Sequence, residues 1–407
     1  MPDELDHGVL DYLQKKQWEM IAPVFRQGDY YNFPKDQKLP FIISEPWGRG
    51  GFGKVSKKRI HPLHHDFGLF ACEGEGLVVA VKQLCSKDPD SFNRERACLK
   101  ALGEAGPHLH LIYLLCTYSY QGQHHLMFPY ADANLRQYWN SIQIPDFDDR
   151  TFLWCLRQMR GIVDGLSLLH KLPPSKGPSG TNLYGRHGDL KAANILWFKS
   201  YPGCTDPDGV LQIADLGLAR YHQFESKSND PVENVVWPST YSPPRHPGAN
   251  IDQLFDIWGL GCLLLEFVTW MVRGDGANEQ FSQRRGREGG QDEYTDDVFY
   301  DPVSREVRPS VRAWAEELKQ LERCTPVLQD LLDLIMNQML QYESFRRSGA
   351  DSISLNMNEM YEKARTNQRY LLACNQVPSL PRGYPILSSQ RGPEPMKSRI
   401  WSQLVRN

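Results

Sequence analysis

The chain has no Cys-x-x-Cys pair among its nine cysteines. An odd, scattered set of thiols argues against a disulfide framework and for reduced cysteines in an intracellular setting, cytoplasm or nucleus. No sign of charge dominates: 46 Lys and Arg stand against 49 Asp and Glu, for a net charge of −3. That gives no electrostatic footprint for nucleic acid or an acidic membrane surface. The first residues lack an apolar core, since Met1–Leu13 carries Asp3, Glu4 and Asp6, so no signal peptide is read there. Long apolar runs are missing as well. The most apolar, Leu260–Val272, contains Glu266 and falls short of the roughly 20 residues a bilayer helix needs. The expectation is a soluble protein with no membrane anchor and no internal repeats. What is present is ample core material: 41% hydrophobic and 23% charged residues over 407 positions, enough for one bilobal protein.

One stretch organises the rest: Arg186-His187-Gly188-Asp189-Leu190-Lys191-Ala192-Ala193-Asn194-Ile195-Leu196. It sets an Asp, a Lys two residues on and an Asn five residues on in one loop, with an apolar run behind. Phosphoryl transfer needs such a layout: a carboxylate to orient the attacking hydroxyl and take its proton, a cation near the transferring phosphate, and an amide oxygen for a metal ion. Alone, the loop also fits an ordinary polar turn before a strand, so its partners matter. Gly48-Arg49-Gly50-Gly51-Phe52-Gly53-Lys54-Val55 lies between two expected strands, where glycines let backbone close over a polyphosphate. A dinucleotide fold would require a helix next, but Val55–Ile60 reads as a strand. Leu77–Lys82 is a β-branched strand carrying one Lys, and Glu95, on the helix expected from a cap at Asp90 to Leu102, is a carboxylate able to hold it. Val210–Ala214 is an apolar strand that delivers Asp215, a hard oxygen ligand suited to magnesium together with Asn194. The histidines 61, 64, 65, 108, 110, 124 and 125 have no carboxylate or Cys at ligand spacing, which argues against a metal site there.

The elements around these motifs divide the chain. Residues 1–38 form an N-terminal extension, with apolar residues at helical spacing interrupted by Pro23. Residues 39–131 are strand-rich with one helix. Phe128–Ala131 is the candidate hinge, and 132–375 is helical. A helix starts near Asp132 or Asn134, and a long one runs from Asp148 or Asp149 to about His170. Asp252–Met271 is apolar nearly all round and must be buried, so Asp256 within it needs partners. Residues 273–297, rich in Gly and in charge of both signs, read as an insertion or mobile loop. Thr325-Pro326 starts another helix, and 376–407 is a loosely held tail.

In this order and spacing the motifs resemble the eukaryotic protein kinase family over roughly residues 40 to 350. The phrase Gly185–Lys191, with the later Pro243-Pro244 closure, resembles predicted serine/threonine kinases of filamentous fungi. The resemblance implies an α+β bilobal fold, ATP and Mg2+, and a protein substrate. It implies that Gly48, Gly50 and Gly53 cover the phosphates and that Lys82 contacts them, held by Glu95. Asp189 orients the substrate hydroxyl, Lys191 lies beside the γ-phosphate, and Asn194 and Asp215 ligate magnesium. Val55, Ala80, Phe128, Tyr130 and Ala131 complete the implied nucleotide site. Lys191 in Asp-Leu-Lys-x-x-Asn implies a Ser/Thr rather than a Tyr acceptor.

Departures from the family pattern are informative. His187-Gly188-Asp189 stands where the family has His-Arg-Asp, which removes an Arg that usually meets an activation-segment phosphate. Ser226, Ser228 and Tyr221 remain candidate phosphosites without that receptor. Asp215-Leu216-Gly217 replaces Asp-Phe-Gly and keeps the metal ligand. Ser242-Pro243-Pro244-Arg245 ends in Arg where Ala-Pro-Glu ends in Glu, so a pairing with Arg347 is excluded by like charge. Pro238 replaces a substrate-docking Thr, with Ser239 or Thr240 as substitutes. Two rivals follow. His-Gly-Asp with Asn194 also resembles aminoglycoside and choline phosphotransferases, although those generally lack the Ser-Pro-Pro closure and the Asp256–Gly261 segment. A catalytically dead scaffold is the other, against which Lys82, Asp189, Asn194 and Asp215 are all present.

Overall fold

The computed structural model describes residues 12, 16–17, 21–50, 53–70, 74–84, 89–172, 175–176, 182–183, 185–216, 240–244, 253–288 and 297–373. They fall into two compact units. The first comprises the described residues up to Glu104 with Tyr113–Tyr130; the second comprises Ala105–Ile112 and the described residues from Ala131 onward.

The first unit is built on a six-stranded sheet. Its strands are β2 (Tyr30–Asn32), β3 (Phe41–Gly50), β4 (Gly53–Ile60), β6 (Leu77–Leu84), β7 (Cys116–Tyr120) and β8 (Gln123–Pro129), in the order β2-β7-β8-β6-β4-β3. Pro46 can sit in β3 because that strand is an edge, where a missing N–H costs no ladder bond. The short β1 (Phe25–Arg26) pairs in parallel with β5 (His65–Asp66). The helix α1 (Pro89–Glu104) belongs to this unit, and Phe92, Leu99 and Leu102 bury its apolar face. Asp90, expected as its cap, lies inside the first turn.

Within the expected extension, residues 25–32 form short strands that pack on the sheet of the first unit. β2 runs parallel to β7, pairing Tyr30 with Thr117 and Asn32 with Ser119. Phe25 is fully buried, with Tyr31, Phe33, Phe41 and Tyr118 all within about 6 Å of it, ring centre to ring centre.

The second unit is mainly helical. Its elements are β9 (Ala133–Asn134), α2 (Leu135–Ser141), α3 (Asp149–His170), β10 (Ser175–Lys176), β11 (Asn182–Leu183), β12 (Ile195–Phe198), β13 (Val210–Ile213), α4 (Leu254–Arg273), α5 (Ala277–Gly286), β14 (Tyr300–Asp301), β15 (Glu306–Val307), α6 (Pro309–Lys319), α7 (Pro326–Leu334), α8 (Ala350–Thr366) and α9 (Gln368–Leu372). α2 starts where cap chemistry expects it: Asn134 and Gln137 form a reciprocal capping box. Asp148 caps α3 by accepting the Thr151 N–H at 2.8 Å.

α4 is longer than the apolar run seen in the sequence. At 20 residues it is long and apolar enough to cross a membrane, but 94% of its most apolar window is buried inside the protein. Residues 273–297 also differ from expectation. They contain α5, whose Phe281 is fully buried, stacked on Trp314 at 5.0 Å and edge-on to Phe299. That apolar anchor, together with buried Arg285, holds a helix that composition alone reads as a solvated loop. The overall class is α+β, with a strand-rich first part and a helical second part.

Candidate active site

In the second unit, β12 and β13 pair antiparallel, with Ile195 opposite Ile213, and both are buried. Their apolar side chains fix the loops that end at them: residues 185–194 before β12, and Ala214-Asp215 after β13. The Ala214 N–H donates to the Asn194 carbonyl at 2.8 Å, which ties the two loops together next to both expected metal ligands. Asp215 sits at φ +62°, a left-handed conformation uncommon for a residue with a side chain.

Asp189 is the centre of the arrangement. Its Oδ2 accepts the Asn194 Nδ2–H at 3.0 Å and meets Lys191 Nζ at 2.8 Å. Asn194 Nδ2 also donates to the Asp189 carbonyl at 2.8 Å. The expected acid, cation and amide therefore lie together. With Nδ2 committed to Asp189, the Asn194 Oδ1 is the atom of that side chain with metal-ligand chemistry.

A buried frame holds this loop. His187 is fully buried; its Nε2 lies 2.8 Å from the Ala214 carbonyl and its Nδ1 accepts the Asp189 N–H at 3.2 Å. Those partners select the neutral tautomer protonated on Nε2. Below it, Asp256 of α4 accepts the His187 N–H on Oδ2 and the Gly188 N–H on Oδ1, each at 2.7 Å. His170 Nε2 adds a third contact at 2.9 Å. Burial alone would raise the Asp256 pKa, but the hydrogen bonds from His170 and from the Gly188 N–H outweigh it and hold it below the usual carboxylate range. The sequence showed that Asp256 needs partners; it did not show that they are the backbone of the organising loop.

In the first unit, Lys82 on β6 and Glu95 on α1 are both buried, and Lys82 Nζ donates to Glu95 Oε1 at 2.9 Å. The pair expected from sequence is in contact. Register places Val55 opposite both Gly48 and Lys82, and Ala80 opposite Phe128. Gly50 faces Gly53 where β3 turns into β4. Lys57 Nζ lies 4.7 Å from the Tyr130 ring centre. The chain enters the second unit at Ala105, returns to the first at Tyr113 and enters the second again at Ala131.

Other expected residues are placed differently or not described. Arg347 is buried, and its guanidinium donates to the carbonyls of Gln341, Leu254 and Tyr342. Gly217, Tyr221, Ser226, Ser228, Pro238, Ser239 and Arg245 lie outside the described residues, as do Gly51, Phe52 and the tail from 374. Thr240 Oγ1 donates to Asp297 at 2.6 Å, and Tyr241 Oη donates to buried Glu266. Sequence reasoning missed this anchoring; an acid inside an apolar helix was the available signal.

Comparison with known proteins agrees with this geometry. The protein kinase domain family model matches residues 41–356. The chain is 26% identical over 257 residues to a probable serine/threonine-protein kinase of Dictyostelium discoideum, covering 60% of this chain and 44% of that protein. It is 28% identical over 239 residues to a G-type lectin S-receptor-like serine/threonine-protein kinase of Arabidopsis thaliana, covering 56% and 24%. It is 26% identical over 271 residues to fibroblast growth factor receptor 1 of Pleurodeles waltl, covering 61% and 30%. The matched part is less than half the length of each of these relatives. With a match spanning most of its length, the chain belongs to the protein kinase domain family.

Proposed function

We propose that the protein is an ATP-dependent protein kinase that phosphorylates Ser or Thr hydroxyls of protein substrates, inside the cell. The observation that carries the reading is the Asp189 carboxylate, gripped by Asn194 and Lys191 in a loop pinned to Asp256. The names of the Dictyostelium and Arabidopsis relatives, and Lys191 itself, support a Ser/Thr acceptor. Reduced thiols support the location: Cys98, Cys116, Cys155, Cys204, Cys262 and Cys324 are all free.

Each residue has a role in this reading. Asp189 orients the substrate hydroxyl and accepts its proton. The hydroxyl oxygen bonds to the γ-phosphorus as the bond to the β,γ-bridging oxygen breaks, and that electron pair leaves with ADP. Lys191 balances charge on the γ-phosphoryl group, and Lys82, held by Glu95, contacts the α- and β-phosphates. Gly48, Gly50 and Gly53 allow backbone to approach the phosphates. Val55, Ala80, Phe128, Tyr130 and Ala131 border the adenine. The donor set fits magnesium: Asn194 supplies an amide oxygen and Asp215 a carboxylate, both hard ligands, and the Ala214–Asn194 hydrogen bond fixes their backbones together. When bound, magnesium neutralises charge on the phosphates.

The test is an assay with labelled ATP and Mg2+, offering a degenerate peptide library, casein and histone beside choline and aminoglycosides. Transfer to Ser or Thr peptides is expected, abolished by Asp189→Asn. Transfer only to the small molecules, or nucleotide binding with no transfer to any protein, overturns the reading.

A further inference from the structure

We infer that Tyr30, in the strand that precedes the family match, is a positioning residue that holds the helix carrying Glu95. This inference rests on the kinase reading above for its consequence, but not for its geometry.

The strand is fixed before it reaches the helix. Phe25 is buried in the aromatic cluster described above. The Gly28 N–H donates to the Leu115 carbonyl at 2.7 Å, and Gln27 Nε2 to the Leu114 carbonyl at 2.7 Å. Parallel pairing with β7 then sets the Tyr30 side chain against α1. Its ring lies 5.8 Å from that of Phe92, and the Arg96 guanidinium sits 4.7 Å over its face.

Tyr30, Ser119 and His124 close a ring with Phe92. Tyr30 Oη is 2.9 Å from Ser119 Oγ, and Ser119 Oγ is 2.7 Å from His124 Nδ1. The His124 imidazole stacks on Phe92 with ring centres 4.2 Å apart and planes 8° from parallel. Both hydrogen bonds can form at once: in one assignment Tyr30 donates to Ser119, and Ser119 donates to His124. Partial burial disfavours the imidazolium, which leaves a neutral ring that can accept on Nδ1. Phe92 is thus clamped between an aromatic from the N-terminal strand and one from β8. It lies three residues before Glu95 and four before Arg96, so the clamp grips the turn of α1 that presents Glu95 to Lys82.

A ring contact of this kind restrains rotation and sliding of a helix more than it adds affinity, because both flanking aromatics sit on strands fixed by ladder bonds. Glu95 meets Lys82 through a single hydrogen bond, so a small shift of α1 separates them.

The experiment uses the full chain as wild type, Tyr30→Ala and Tyr30→Phe. Hydrogen exchange is read over 89–104, with α3 as the internal control, and kcat and KM for ATP are measured beside it. Tyr30→Ala is expected to raise exchange in α1 by about tenfold while leaving α3 unchanged, and to lower kcat by about tenfold with a smaller change in KM. Tyr30→Phe keeps both ring contacts and is expected to stay near wild type in both readouts. Unchanged α1 exchange in Tyr30→Ala overturns the clamp, as does a Tyr30→Phe variant as loose as Tyr30→Ala. Loosened exchange with unchanged kcat overturns the positioning role. If the wild type transfers no phosphate, the kinase reading fails, and the exchange data still decide the clamp.

Discussion

The Gly188 N–H donates to Asp256 Oδ1 at 2.7 Å from a backbone at φ +82°. The two facts belong together. The left-handed turn lets two successive N–H groups, of His187 and Gly188, point at one carboxylate. Glycine is the residue that adopts that turn without strain. The family's Arg is therefore absent at a position where this chain's backbone conformation favours glycine.

Gly188→Ala is expected to cost about 1–2 kcal/mol, the usual penalty for a Cβ in the left-handed region. Gly103→Ala makes the contrast. That glycine lies near the end of α1 with open space where a Cβ would go, and the change is expected to stabilise by up to about 1 kcal/mol. Urea unfolding of both variants checks the signs, and a Gly188→Ala variant as stable as wild type would contradict the account.

Asp256→Asn is expected to cost about 2–3 kcal/mol at neutral pH. Each carboxylate oxygen accepts one backbone N–H, so either orientation of the amide sets an NH2 against a donor. The pH dependence follows from the lowered pKa of Asp256. A depressed carboxylate stabilises fully above its unfolded value, about 3.9, and loses that stability as pH falls through the folded value. The difference between wild type and Asp256→Asn should stay constant from about pH 7 to pH 5 and shrink below about pH 4. A gap of equal size at pH 7 and pH 3.5 would count against the assigned role.

How much of this was legible from residue order depended on the range of the interaction that decides each element. The Asn134 and Asp148 caps were readable because their partners lie three residues away. The Lys82–Glu95 contact was readable because a strand and a helix in sequence bring the two together. Residues 25–32 were not: their strands are two and three residues long, too short for a periodic signal, and their partners in 65–66 and 114–119 lie far along the chain. Asp90 looked like a cap because Asp favours that place, yet the helix begins at Pro89, whose fixed φ suits a first turn. In 273–297 the abundant charge masked Phe281 and Arg285, whose partners Phe299, Trp314 and Glu266 lie outside that stretch.

Glu95→Gln is expected to lower kcat by about tenfold or more while retaining the fold. Both partners are buried, and the amide can still accept from Lys82 but no longer carries the charge that balances it. Thermal unfolding should also move to lower temperature, because Lys82 is left a buried charge without its counter-charge although a hydrogen bond survives. Wild-type kcat in this variant would show that the ion pair plays no part in turnover.

Arg285→Lys tests the element that composition misread. The guanidinium is fully buried between two rings, 4.0 Å from the centre of Phe281 and 4.1 Å from that of Phe299. It donates to the Asp297 carbonyl at 2.8 Å and lies 3.6 Å from Glu266, the carboxylate that also receives the Tyr241 hydroxyl. A planar, weakly hydrated cation suits a slot between rings; a compact ammonium does not stack and is costlier to desolvate. Arg285→Lys is therefore expected to destabilise by about 2–3 kcal/mol, and Arg285→Ala by about 3–5 kcal/mol, because Glu266 then loses a buried counter-charge. Limited proteolysis within 277–288 should accelerate in parallel. Were Arg285→Lys to unfold at the wild-type urea midpoint, the guanidinium would not be what anchors α5.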